Sequence, residues 1–230
     1  MFAQINELIK VIDDAVWGLP LICLIMVTGI LLTVRLGGVQ VRHLGKAFKF
    51  MFQDEEDGHG EVTSFGALCT ALSATIGTGN IAGVATAIAA GGPGALFWMV
   101  VAAFFGMATK YSEGLLAIKY RTIDQDGHVL GGPFYYIENG MGKKWKWLAK
   151  IFAFFGAGVG LFGIGTFTQV NSIASAVKNF FDPDMAHTVT VLGNDYSIAT
   201  VIAGILLTVF VGLVVIGGIK RISKVSEVVV

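Results

Sequence analysis

The run Ala71-Leu72-Ser73-Ala74-Thr75-Ile76-Gly77-Thr78-Gly79-Asn80-Ile81-Ala82-Gly83 places glycine, hydroxyl and amide groups in the middle of a long apolar stretch. Glycine inside a helix costs about 1 kcal/mol relative to alanine, and a buried amide needs partners where no water supplies them. The spacing predicts a helix unwound around Gly77–Asn80. Such a break frees carbonyls at the end of its first half, which suit a cation. It also frees N–H groups at the start of its second half, which suit a carboxylate. Small residues from Gly77 to Gly83 equally allow close helix packing of the GxxxG kind, so site and packing stand side by side at this point.

A second polar group closes another apolar segment, Gly165-Thr166-Phe167-Thr168-Gln169-Val170-Asn171-Ser172. Gln169 and Asn171 could hydrogen-bond an amino acid, or simply mark a helix end at the membrane surface. Lys110 and Glu113, three apart, read as a structural ion pair rather than a proton relay. The stretch Asp54-Glu55-Glu56-Asp57-Gly58-His59 lacks the alternating ligands of an EF-hand and reads as a solvated loop. Cys23 and Cys69 lie in apolar runs with no metal-ligand spacing and read as buried, inert thiols. No Ser-His-Asp arrangement, phosphate loop or nucleotide motif is present, and the chain reads as no enzyme.

The elements that must position these groups follow from composition. The 230 residues are 54% hydrophobic and 14% charged, with a mean hydropathy of +0.72 and 31 glycines. Soluble domains carry roughly 25% charged residues, so too few charges are present to cover a soluble surface. Basic and acidic residues balance at 16 each, and no basic block points to nucleic acid. The chain reads as an all-α integral membrane protein embedded in a lipid bilayer.

A bilayer core needs about 20 apolar residues in a helix. Five stretches of one membrane domain qualify: 16–34, 65–90, 95–118, 148–170 and 197–217. The first lacks a basic leader and a cleavage site, so it reads as a retained helix rather than a signal peptide. Arg35, Arg42, Lys46 and Lys49 follow the first span; Lys119, Arg121, Lys143, Lys144 and Lys146 follow the third; Lys220, Arg221 and Lys224 follow the fifth. The alternate loops are poor in basic residues. The positive-inside bias therefore predicts a multi-pass protein with its N-terminus outside and its C-terminus in the cytoplasm. The ending Ser223–Val230 reads as the approach to another span, and the chain as a truncated piece of a larger protein.

Three blocks carry a resemblance: Thr70–Asn80, Gly91-Gly92-Pro93-Gly94-Ala95-Leu96-Phe97-Trp98-Met99, and Gly131-Gly132-Pro133-Phe134-Tyr135-Tyr136-Ile137. They resemble the alanine/glycine:cation symporter family along the whole chain, with Val100 standing where that family's signature carries tryptophan. The resemblance implies a five-plus-five inverted-repeat core of the leucine-transporter type with one extra N-terminal helix. On that map 16–34 is the extra helix, 65–90 the first and broken core helix, and the other spans the next three; the fifth core helix and the second repeat are missing. It implies that Gly77, Thr78 and Gly79 hold the substrate carboxylate, Ser73 and Ile76 a sodium ion, and Asn80 a second ion, while Gln169 contacts the bound amino acid.

The expected function is sodium-coupled symport of alanine or glycine in a bacterial cytoplasmic membrane, with Na+ as coupling ion and no other cofactor. A passive channel and a non-transporting membrane fragment are the competing classes. A conducting pore usually needs rings of charge or carbonyls repeated by symmetry. With half of a two-repeat core missing, the 230-residue chain alone is expected to be inactive.

Overall fold

Glycine and proline punctuate the helices. The computed structural model describes residues 2–53, 62–163, 165–191 and 193–230; the acidic stretch Asp54–His59 lies outside them. Helix α1 (Phe2–Val16) meets α2 (Leu19–Arg35) at Gly18, and Pro20 sits in the first turn of α2, where its missing N–H is no loss. Helix α2 stops at the pair Gly37–Gly38, both left-handed (φ 62° and 70°), and this turn leads into the short helices α3 (Val39–Arg42) and α4 (Leu44–Met51).

Helix α5 (Ser64–Thr75) opens on Thr63, whose hydroxyl accepts the Gly66 N–H at 3.0 Å. After a break comes α6 (Ala82–Gly91). Gly92 turns the chain at φ 66°, and Pro93 starts α7 (Pro93–Lys119). Its 27 residues run roughly 40 Å at the helical rise, enough to cross a bilayer. A small hairpin, β1 (Thr122–Ile123) with β2 (Val129–Leu130), precedes α8 (Pro133–Met141). Helices α9 (Lys146–Leu161) and α10 (Thr166–Phe181) follow. A second hairpin, β3 (Thr188–Val191) with β4 (Asn194–Ser197), connects to α11 (Ile198–Val215) and α12 (Gly218–Val229).

Among the described residues, four segments are long and apolar enough to cross a membrane: Gln4–Arg35, Pro93–Lys119, Lys143–Phe181 and Ile198–Val215. The pair Ser64–Thr75 and Thr78–Gly91, bent by 68°, makes a fifth when counted as one span. The architecture is therefore mostly helical, with apolar helices of membrane-spanning length. Its apolar side chains face outward. Val39, Cys69, Ala108 and Ala149 are the buried ones among the described residues, whereas Leu24, Phe97, Phe154 and Phe210 are exposed. That distribution suits a chain whose surroundings are lipid or further apolar protein.

Packing follows small residues. Helix α2 lies on α7 where Gly29 faces Phe105; a Cβ at Gly29 would stand 3.0 Å from both the Cβ and the carbonyl oxygen of Phe105. Helix α12 lies on α5 where Gly66 faces Ser223 and Glu227. Cys69 is buried at this second contact's helix, as expected, but Cys23 is exposed on α2. Lys110 Nζ and Glu113 Oε2 form the expected ion pair at 2.8 Å.

Candidate functional site

The break forms where helix propensity fails. Ile76 N–H still donates to Leu72 O at 2.7 Å, but Ile76 itself has left the helical region (φ −78°, ψ 116°) and Gly77 is extended (φ −150°, ψ −174°). The carbonyls of Ser73 and Ala74 thereby lose the donors a continuing helix would send back to them. One turn of 3-10 helix, Thr78–Asn80, then restarts the chain: Asn80 N–H donates to Gly77 O at 3.0 Å and Ile81 N–H to Thr78 O at 3.2 Å. The N–H groups of Thr78 and Gly79 precede the first such bond and have no partner within the turn. The Asn80 side-chain amide reaches back across the break to Thr75 O at 3.4 Å.

Gln169 comes to this break from another helix. Helix α10 begins after Gly165, left-handed at φ 92°, and Gln169 N–H donates to Gly165 O at 3.2 Å in its first turn. The side-chain amide then lies on Gly77: a Cβ on that glycine would stand 2.9 Å from Gln169 Nε2. The Gln169 side chain is exposed, and its amide makes no hydrogen bond among the described residues. Gly79 has the opposite surroundings, with nothing within 4 Å of where its Cβ would be. The helix carrying Gln169 continues to Phe181, and Gln169 therefore sits inside the apolar segment Lys143–Phe181 rather than at its edge.

Of the expected site residues, Ile76, Gly77, Thr78, Gly79 and Asn80 lie on the break itself, and Gln169 is brought against it. Ser73 is one turn earlier on α5. Its hydroxyl donates to Thr70 O at 3.0 Å and meets Ser226 Oγ of α12 at 3.0 Å. Ser226 was not singled out from the sequence. The signal was present, because Ser223 and Ser226 are three apart, share one helix face, and are both buried on α12. What this arrangement can do chemically is hold a cation on carbonyl and hydroxyl oxygens before the break and an anion on amide N–H groups after it.

Comparison with known proteins places the chain in a family. The family described as the sodium:alanine symporter family matches residues 2–230. The chain is similar to an uncharacterized transporter of Haemophilus influenzae, 50% identical over 226 residues that cover 98% of this chain and 46% of the relative. It is similar to the sodium/alanine symporter AgcS of Methanococcus maripaludis, 47% identical over 97% of this chain and 47% of the relative. A probable sodium/glutamine symporter of Bacillus subtilis, GlnT, is 33% identical over 98% of this chain and 44% of its own length. The chain thus spans less than half the length of these relatives. A match over all but the first residue, on a chain of apolar helices, settles its kinship: the chain belongs to the sodium:alanine symporter family.

Proposed function

We propose that the protein is the part of a secondary active transporter that binds sodium and a small neutral amino acid, alanine or glycine, at the break in the α5–α6 helix. The observation that carries this reading is the Gln169 amide lying against Gly77 at a 68° bend with no hydrogen bond among the described residues. A purely structural glutamine inside an apolar segment would be hydrogen-bonded to the chain, because an unpaired amide there is costly.

In this reading the carbonyls of Ser73 and Ile76 hold Na+, and Asn80 stands beside a second ion position. The N–H groups of Thr78 and Gly79 receive the substrate carboxylate, with Gln169 hydrogen-bonded to the amino acid. Sodium orders the extended segment at Ile76–Gly77, and that order fixes the N–H groups that follow. Ion and substrate therefore raise each other's affinity by the same factor. Sodium running down its gradient drives uptake by alternating access around a site near the bilayer midplane. The distribution of basic loops supports an N-terminus outside the membrane, which in this reading is a bacterial cytoplasmic membrane.

The relatives' names include both alanine and glutamine, so the substrate is tested directly. The test is uptake of radiolabelled alanine and glycine by the full-length protein in proteoliposomes, with and without an inward sodium gradient. Accumulation that requires sodium supports the reading. Uptake indifferent to sodium, or passive equilibration without accumulation, overturns it.

A further inference from the structure

Away from the break, a cavity of about 520 Å³ opens between the short helices α3–α4 and the flank of α7. Volumes of roughly 300–1,000 Å³ are those of small-ligand sites. Its floor is apolar: Val39, Phe50 and Met107. Its rim carries His43, Lys46 and the Tyr111 side chain. The wall is built rather than incidental. Gln40 is 9% exposed, and its Nε2 donates to Thr33 Oγ1 of α2 at 2.7 Å and to Phe104 O of α7 at 3.3 Å, tying α3 to both neighbours.

Charge selects the occupant. Lys46 lines the cavity, Arg35, Arg42 and Lys49 lie on the same stretch of chain, and no acidic residue occurs between Ala15 and Gln53. Helix α4 follows the membrane-length segment Gln4–Arg35 through the short α3 and mixes Leu44, Phe48 and Met51 with its two lysines. That is the composition of a helix lying in the membrane interface, apolar side down and basic side toward lipid headgroups. Phe48, Phe50 and Phe52 are all more than half exposed there.

We propose that this cavity is a binding site for an anionic glycerophospholipid, with an acyl chain against Val39, Phe50 and Met107 and the phosphate at Lys46 and His43. The occupant is a lipid and not a free phosphate ester, because the floor offers apolar surface that only a chain would cover. It is anionic and not zwitterionic, because Lys46 and His43 line the cavity with no carboxylate among its lining residues, on a stretch where Arg35, Arg42 and Lys49 add positive charge. The site is independent of the transport reading: it shares no residue with the break.

Native mass spectrometry of the full-length protein in detergent, titrated with phosphatidylglycerol, phosphatidylcholine or glycerol 3-phosphate, tests the proposal. Phosphatidylglycerol is expected to bind in preference to the other two. Lys46→Gln is expected to weaken it about fivefold, the worth of one cation at an anionic surface. Met107→Trp, which fills the floor, is expected to weaken it further, while Lys178→Gln, far along the chain on α10, leaves it unchanged. Lys46 is exposed, so its substitution leaves folding intact and decides the matter even where the tryptophan variant fails to fold. Equal binding of phosphatidylcholine, competition by glycerol 3-phosphate as strong as that of lipid, or unaltered binding by Lys46→Gln overturns it.

Discussion

Gly77 and Gln169 are mutually fitted: the amide nitrogen of Gln169 occupies the space a Cβ on Gly77 would need, 2.9 Å away. Gly77 is extended rather than left-handed, so alanine meets no backbone penalty there. Among the described residues, the atoms nearest that Cβ position belong to the far end of a flexible side chain. Gly77→Ala should therefore displace the Gln169 amide and leave the fold standing.

This makes the pair testable as a cycle. Gly77→Ala and Gln169→Ala should each reduce sodium-dependent uptake, about tenfold for one lost hydrogen bond to a charged or strongly polar substrate group. The double variant should be no worse than Gln169→Ala alone, because the first change acts through the second residue. Gly83→Ala on α6, outside the assigned site and with nothing within 4 Å of its Cβ position, is the control and should retain most activity. Additive losses in the double variant would sink the argument.

A second prediction concerns the turn between α10 and α11. Asp182 is buried; its Oδ2 accepts Ser197 Oγ at 2.6 Å and its Oδ1 accepts the Ala186 N–H at 2.8 Å. The Ser197 hydroxyl, together with N–H donors from Ala186 and His187, holds the carboxyl below its ordinary value of 3.8. A depressed carboxylate pKa contributes stability that is full above the unfolded value and is lost as pH falls through the folded one. The β3–β4 hairpin should thus keep its hydrogen-exchange protection at neutral pH and lose it only as pH falls below the ordinary carboxylate value of 3.8. Ser197→Ala should move that loss upward toward the ordinary carboxylate value. Protection that falls at the same pH in both forms would refute the assignment.

The break was legible because Gly77, Thr78, Gly79 and Asn80 are each poor helix formers gathered in one place, and local propensity suffices to expose them. Gln169 was legible as a polar residue out of place in an apolar run. Its surroundings were not. The cluster Gln169-Val170-Asn171-Ser172 reads as a helix end, yet Ser172 bonds back to Thr168 O at 3.0 Å and the helix runs on to Phe181. Helix α12 was hidden for another reason. Ser223–Val230 reads as the approach to another span, and what that reading does not contain is the packing of the segment along α5 through Ser223 and Ser226. A contact between residues about 150 positions apart leaves no trace in local pattern.

That contact supplies a third prediction. The Ser73 hydroxyl keeps its bond to Thr70 O when Ser226 is removed, so Ser226→Ala should alter stability by about 1 kcal/mol or less. What it removes is the tie between α12 and the segment assigned to sodium. The half-saturating sodium concentration should rise about fivefold, the equivalent of one net hydrogen bond. Maximal uptake at saturating sodium should stay near that of the unmodified protein. A fall in maximal uptake with unchanged sodium dependence would place Ser226 outside the cation segment.

The fourth prediction separates polarity from shape at Gln40. Its amide orientation is fixed, since Nε2 faces the carbonyl of Phe104, and its Oε1 is buried with no partner among the described residues. Gln40→Met removes two donated bonds, but it also removes the orphan acceptor. Thr33 keeps its own bond to Gly29 O at 2.7 Å, so the losses and gains offset, and the melting temperature should move little, corresponding to about 1 kcal/mol at most. Gln40→Glu has nearly the same shape and the opposite consequence. It sets a carboxylate oxygen against the Phe104 carbonyl, in a buried position, and withdraws the donor that held α3 to α2 and α7. Destabilisation of about 3 kcal/mol or more is expected at neutral pH, relieved as the carboxyl is protonated in acid. Thermal unfolding of the two variants in the same detergent, at pH 7 and pH 5, checks the contrast. A methionine variant as unstable as the glutamate one would mean that the amide's hydrogen bonds, and not the burial of charge, decide the α2–α3–α7 junction.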